Sequence, residues 1–342
     1  MKKIVLLTCL LAIGGILMAQ KKAAIAVPAP DLSLERVNAE IARLSLLSGG
    51  IVGISAIHTE TGKRILLNDQ LSFPMASSYK VPIAVALLTK VDSGIYSLSQ
   101  MIEIRKSDLH PGSGLISGRF NWPDSAQPGI ALSVRSLLEL MLLISDNSAA
   151  DICLRLAGGP PAVNACMKNL GIDGMRVDRS TAFLIAASEG MMLDTESPWS
   201  PALYDSLSKN SKPEEQILFA RQFDSTSQDI CTPDAMTALL LKLHRGQVLK
   251  PQSSALLLAI MKRCETGLGR LRGSLPPGTE VMHKTGTMAL TTNDAGIITL
   301  PGDAGHIVIS VFVKSSEKTI PERERAIAEV TRTIYDYFLF YH

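Results

Sequence analysis

The sequence predicts an α+β fold: an antiparallel sheet completed by both ends of the chain, with a helical centre between them. A β-branched run from Ile51 to His58, a turn and a short return strand come early. From Ser77 to about residue 265 apolar residues recur at helical spacing. Three β-rich segments and a last helix then close the chain. The 342 residues suit one large domain or two intimate ones, and 46% hydrophobic against 19% charged residues supply a sizeable core.

Taken in order, Lys2 and Lys3, the apolar run Ile4 to Met18 and Ala19 before Gln20 read as a secretory signal over residues 1–19. The run is shorter than the ~20 residues of a spanning helix, which leaves an uncleaved anchor as the alternative. No later segment is long and apolar enough to span. Export is therefore expected, to a periplasm or the exterior. Residues 20–30 form an Ala- and Pro-containing linker. Asp31 then caps a helix with Leu34, Val37, Ile41, Leu44 and Leu47 on one face, ended by Ser48-Gly49-Gly50. Ile51 to His58, the turn Thr59 to Gly62 and the return Lys63 to Asn68 make a hairpin.

Ser77 opens a helix through Val81, Ile83, Ala84, Leu87 and Leu88. Ser133 caps another that runs through Leu137, Leu138, Met141 and Leu142. Thr232-Pro233 begins a third, a cap followed by a first-turn proline. Strands follow at Glu280 to Thr287, Ala295 to Leu300 and His306 to Lys314, and Pro321 opens a closing helix striped by Ile327, Val330, Ile334 and Phe338. The expected organisation is a sheet domain over 31–76 and 266–342 and a helical domain over 77–265.

The net charge of +2, with no basic cluster interleaved with aromatics, argues against a nucleic-acid partner. The six histidines are scattered and the cysteines match no zinc spacing, so no metal or other cofactor is expected. Cys153, Cys166, Cys231 and Cys264 remain after signal cleavage, and in an oxidising compartment they are either paired or buried.

Three short strings carry the chemistry: Ser77-Ser78-Tyr79-Lys80, Ser145-Asp146-Asn147 and Lys284-Thr285-Gly286. Each is common alone; Ser-x-x-Lys recurs at Ser206–Lys209 and Ser315–Lys318. A serine hydroxyl is a weak nucleophile that needs a neighbouring base. Residues three apart on a helix share a face, so Lys80 lies beside Ser77, near the positive end of the helix dipole. Alone, Ser77 reads more readily as a helix cap, and Ser-Asp-Asn has a helix-ending turn as its alternative. Gly286 would let a ligand approach the strand backbone closely.

In that order, the three strings resemble the signature of the class A β-lactamase family, penicillin-recognising serine enzymes. The resemblance runs from about Ser33 to Phe338 and takes in Gly158-Gly159-Pro160, Arg176 to Arg179 and Thr232-Pro233. It implies a five-stranded antiparallel sheet flanked by helices beside an all-helical domain, with the active site between them. By resemblance, Ser77 is the nucleophile, Lys80 its base and Ser145 the proton shuttle to the leaving nitrogen, while Asp146 is structural. Asn147 would bind the substrate amide. Lys284, Thr285 and Gly286 would face its carboxylate, and the N–H groups of Ser77 and Thr287 would form the oxyanion hole. Many relatives place a carboxylate-gripping arginine on the following strand, where this chain has Ala295; the stretch Thr266 to Arg272 matches the variant that supplies Arg270 instead. The alternative makes Arg270 and Arg272 surface charges. His283 resembles some family members or is a plain surface histidine.

Two departures stand out. The family glutamate that follows the Asp178-Arg179-Ser180 stretch, and the asparagine four residues on, hold the hydrolytic water; here the positions carry Thr181 and Ile185, and neither is a base. The loop is also long. Arg179 would pair with Asp229 across its neck, 50 positions away, so 180–229 is an insertion with structure of its own, containing Pro198-Trp199-Ser200-Pro201 and a helical stretch from Pro213 to Phe223. Among its carboxylates Glu189, Asp194, Glu196, Glu214 and Glu215, Glu189 is the nearest that could restore a deacylating base; a solvated loop charge is the alternative for each.

The resulting expectation is a monomeric exported serine hydrolase of small-molecule β-lactams, a resistance and β-lactam-catabolic activity, that acylates Ser77 and deacylates slowly. The rivals are a peptidase acting on D-Ala-D-Ala cell-wall peptides and a binder that traps acylating ligands without turnover.

Overall fold

The computed structural model describes residues 32–110, 112–116, 129–191, 193, 203, 206 and 213–341. The signal, the linker, the Asp31 cap, Asp194, Glu196 and the Pro198 to Pro201 string lie outside them.

Helix α1 (Leu32–Ser45) is followed by strands β1 (Ile51–His58) and β2 (Arg64–Leu67) and a two-residue β3 (Phe73–Pro74). Helix α2 (Lys80–Asp92) leads through β4 (Met101–Glu103) and β5 (Ala131–Ser133) to α3 (Val134–Leu143), α4 (Asn147–Ala157), α5 (Gly159–Asn169) and α6 (Thr181–Ser188). Then come α7 (Pro213–Asp224), β6 (Ile230–Cys231), α8 (Pro233–His244) and α9 (Pro251–Lys262). Strands β7 (Val281–Met288), β8 (Thr291–Thr299) and β9 (His306–Lys314) and helix α10 (Ile320–Phe340) complete the chain.

The main sheet is five-stranded and antiparallel in the order β2-β1-β9-β8-β7. The early hairpin and the late meander thus meet at β1–β9, where Ile54 faces Val311. One face packs on α1 and α10 through Ile41, Ile54, Ile327, Ile334 and Phe338. The other packs on the helical centre, where Phe312 and Ile297 join Met236 and Leu240. Both faces of β9 are therefore buried, which is why it reads as a near-continuous hydrophobic run, whereas β8 opens on the buried polar residues Thr291 to Asp294.

The helices begin where their sequences supply acceptors for free N–H groups. Ser133 Oγ accepts from Ser136 N (3.0 Å), and Thr232 Oγ1 accepts from Ala235 N (3.1 Å) ahead of Pro233. Thr319 and Glu322 form a capping box on α10. Helix α2 has almost no polar face, and Lys80 through Leu88 are buried, so it is the hub of the helical part. The expected opening of this helix at Ser77 differs: Ala76–Tyr79 is a 3₁₀ turn and α2 starts at Lys80. Leu47, assigned to the buried face of α1, is exposed because the chain tightens there into the turn Leu46–Ser48.

Candidate active site

Between the sheet edge and the helices lies a cavity of about 950 Å³ that Ser77 helps to line. Ser77 is held on its 3₁₀ turn by contacts from three sides. Ala76 before it has φ +45°, a left-handed conformation that an alanine adopts only when its surroundings fix it. Asn293 on β8 donates through Nδ2 to Pro74 O (2.8 Å) and Met75 O (3.1 Å), and Ser78 Oγ closes onto Met75 O (2.7 Å). A Cβ on Gly286 would stand 2.5 Å from Met75 O and 3.0 Å from Ser78 N, so β7 lies against the serine turn as only glycine permits. Among the described residues the Ser77 hydroxyl has no hydrogen-bond partner.

Two buried amines meet at one hydroxyl. Lys80 Nζ donates to Ser145 O (2.7 Å) and Asn147 Oδ1 (2.9 Å) and lies 3.1 Å from Ser145 Oγ. Lys284 Nζ donates to Thr285 O (2.9 Å) and lies 3.0 Å from the same Ser145 Oγ. Ser145 reaches this point with φ +60°. Burial, and then the charge of Lys284, hold Lys80 well below the usual lysine range. Burial lowers Lys284 to about 8. A neutral Lys80 can accept a proton, and Ser145 can pass one between its neighbours. Asp146 turns inward: it caps α4 at Ala149 N (2.8 Å) and accepts from Leu115 N (2.6 Å) and Ile116 N (3.0 Å).

Along the edge strand β7, Thr285 Oγ1 hydrogen-bonds Thr266 Oγ1 (2.5 Å). Arg270 is buried rather than a surface charge. Its Nε donates to Glu324 Oε1 (3.0 Å) on α10, and Nη1 donates to Gly286 O (3.0 Å) and Asn293 O (2.8 Å). Its Nη2 donates to Thr287 Oγ1, so the guanidinium braces β7, and Arg270 and Thr287 both line the cavity. Arg272 points elsewhere, donating to Lys262 O (2.7 Å) and Val281 O (3.0 Å). His283 is fully buried against Asp294 (2.9 Å), which removes the surface-histidine alternative.

The neck of the long loop is closed. Arg179 Nε meets Asp229 Oδ2 at 2.5 Å, and Asp229 Oδ1 accepts from Asp178 N (2.7 Å) and Arg179 N (3.0 Å). Asp229 O accepts from Met75 N (2.9 Å), which ties the neck to the serine turn. Thr181 begins α6, with Ser180 as its cap. Its hydroxyl is bonded to Tyr79 OH, and its N–H to Asp151 Oδ1 (2.6 Å), whose other oxygen meets His110 Nε2 (2.8 Å). Ile185 presents hydrocarbon to the cavity. Glu189 ends α6 and lines the same cavity as Ser77. Glu215 is half-buried on α7, outside the cavity lining.

Sequence reasoning did not find Tyr79, Asp151, His110, Asn293 or Glu324. The strand expected from Ala295 begins at Thr291, so Asn293 and Asp294, which the sequence left before the strand, lie buried within it. Cys153, Cys166, Cys231 and Cys264 are all free, three of them buried. Among the described residues no group of three or more His, Cys, Asp or Glu is placed to hold a metal, and no helix is long and apolar enough to cross a membrane.

A family model described as the beta-lactamase enzyme family matches residues 36–338. The chain is 29% identical to beta-lactamase VEB-1 of Pseudomonas aeruginosa over 84% of this chain and 85% of that protein. It is 28% identical to the extended-spectrum beta-lactamase PER-1 of the same organism, over 84% and 82%. Among solved structures, a beta-lactamase from Chitinophaga pinensis matches with TM-score 0.70 at 31% identity, covering 88% of this chain and 98% of that one. An ancestral class A beta-lactamase matches with TM-score 0.68 at 30% identity, covering 88% and 99%.

Proposed function

The chain belongs to the beta-lactamase enzyme family, and on that premise we propose that Ser77 opens β-lactam amides and holds the opened acyl group as a slowly hydrolysed ester. The observation that carries this is the meeting of Lys80 and Lys284 at Ser145 Oγ, at 3.1 and 3.0 Å, in the wall of the cavity that contains Ser77.

Lys80 takes the Ser77 proton as Oγ attacks the carbonyl carbon. The N–H groups of Ser77 and Thr287 receive the oxyanion, usually the largest single contribution. As the ring C–N bond breaks, Ser145 gives its proton to the leaving nitrogen and is reprotonated from Lys80. Lys284 and Thr285, with Thr287 braced by Arg270, bind the substrate carboxylate, and Asn147 binds the acyl amide. Deacylation needs a base at the water. Thr181 and Ile185 supply none, and loss of a general base costs ~10²–10⁴ in rate. Glu189 is the carboxylate in the cavity wall able to carry residual turnover. Action in a periplasm or outside the cell follows from the N-terminal signal read in the sequence.

Mass spectrometry of the protein mixed with a chromogenic cephalosporin tests this. A stoichiometric adduct on Ser77 and a burst followed by a slow steady state are expected; fast turnover with no adduct would sink the slow-deacylation reading. A D-Ala-D-Ala peptidase also suits a site lacking the glutamate, and D-alanine release from a model pentapeptide with negligible penicillin hydrolysis would favour it.

A further inference from the structure

The inserted loop contributes one wall of the cavity, and that wall is fixed. Asp224, buried at the C-terminal end of α7, accepts from Thr291 Oγ1 (2.9 Å) at the start of β8 and from Ser315 N just after β9. Phe223 is buried beside the Arg179 guanidinium, 5.6 Å from its ring. Phe219 lies over Gly190, where an added Cβ would stand 2.2 Å from the ring. Helix α7 is therefore clamped to the sheet, to the loop neck and to the end of α6.

From this clamped helix Ile217 and Ala220, one turn apart, face the cavity that holds Ser77. Leu184 and Ile185 of α6, Met288 at the end of β7 and Leu290 in the turn to β8 add apolar lining, and Gln216, Ser188 and Glu189 add polar lining. The lining also includes the polar residues Asn147, Thr285 and Thr287. Ile217, in the wall of the cavity that Ser77 also lines, is left 40% exposed, so a ligand group that covers it gains the transfer of that surface from water.

We propose that α7 of the inserted loop, through Ile217, is a specificity element that takes the apolar acyl side chain of the amide that acylates Ser77, favouring β-lactams with aryl or long alkyl acyl groups. This rests on the acyl-Ser77 reading. With the ring carboxylate at Lys284 and Thr285 and the amide at Asn147, the acyl substituent is left to the remaining lining, to which α7 contributes Ile217 and Ala220.

The test compares the second-order rate of Ser77 adduct formation, by mass spectrometry, for benzylpenicillin and its acetamido analogue, which lacks only the phenyl group. Ile217→Asp is expected to lower the benzyl-to-acetamido ratio about tenfold, and Ile217→Ala to lower it in the same direction by less. Leu218→Asp, next along the helix, 52% exposed and outside the cavity lining, keeps the ratio within about twofold. An unchanged ratio in both Ile217 variants, or an equal fall in Leu218→Asp, would overturn the proposal. Adducts formed with an unaltered ratio would refute it and leave the function standing; no Ser77 adduct in any protein would end both.

Discussion

At the scale of single residues, protonation decides the chemistry. Lys80 is buried with two carbonyl oxygens and a hydroxyl around it and no carboxylate among its hydrogen-bond partners. Burial and the nearby Lys284 both disfavour its charged form. In the proposed mechanism acylation needs Lys80 without its proton, so the rate is expected to rise with pH through the lowered Lys80 pKa. Carboxylate capture in that mechanism needs Lys284 charged, so the rate is expected to fall again above about 8, where burial has placed that group. Initial rates of Ser77 adduct formation at subsaturating substrate should trace this bell, because they report the free enzyme. In Lys284→Arg the alkaline limb should move beyond the measurable range, since a guanidinium keeps its proton past pH ~12. An unmoved limb would assign the loss to another group.

At the scale of elements, the long loop is a folded insertion held at its neck. Asp229 is buried, adopts φ +51° and accepts from Arg179 Nε and two backbone N–H groups. Removing its carboxylate leaves a buried charge and two donors unpaired, which typically costs about 3–5 kcal/mol. Asp229→Ala is therefore expected to lower the melting temperature and speed protease cleavage within 180–228. Acylation should slow as well, because Asp229 O also anchors Met75 N beside the serine. Limited proteolysis read by mass spectrometry checks the first effect; an unaltered cleavage pattern would mean the neck does not hold the loop. The helix from Pro213 and the Arg179–Asp229 pair were legible in the sequence, from its proline start and from the resemblance. The side of the cavity that α7 would wall was not, because an amphipathic stripe names a buried face without naming what buries it.

At the scale of the whole molecule, the two chain ends make one layer. Helix α10 buries Ile327, Val330, Ile334, Tyr335 and Phe338 against the sheet, with α1 beside it. At ~1.5–3 kcal/mol per buried large side chain, this set is comparable to the ~5–15 kcal/mol net stability of a whole domain. A chain ended at Lys318 should show no cooperative thermal transition and should bind a hydrophobic dye. A sharp transition near that of the full chain would mean the sheet is stable without its cover. The same layer braces the site, since Glu324 of α10 holds Arg270 behind β7.

The sequence by itself determined the five strands of the main sheet, the first and last helices, the antiparallel class and the three strings that mark the family. Strand alternation, helical stripes, caps and turn residues are encoded within a few positions and need no tertiary information. Tertiary structure alone decided the long-range partners. Lys284 meets Ser145 across 139 positions, and Thr181 meets Tyr79 across 102. It also placed His283 inside against Asp294 and spent the Arg270 donors on strand carbonyls, Glu324 and Thr287. Such contacts depend on how layers stack, and local spacing carries no record of which distant group a buried polar atom will find to replace its lost water.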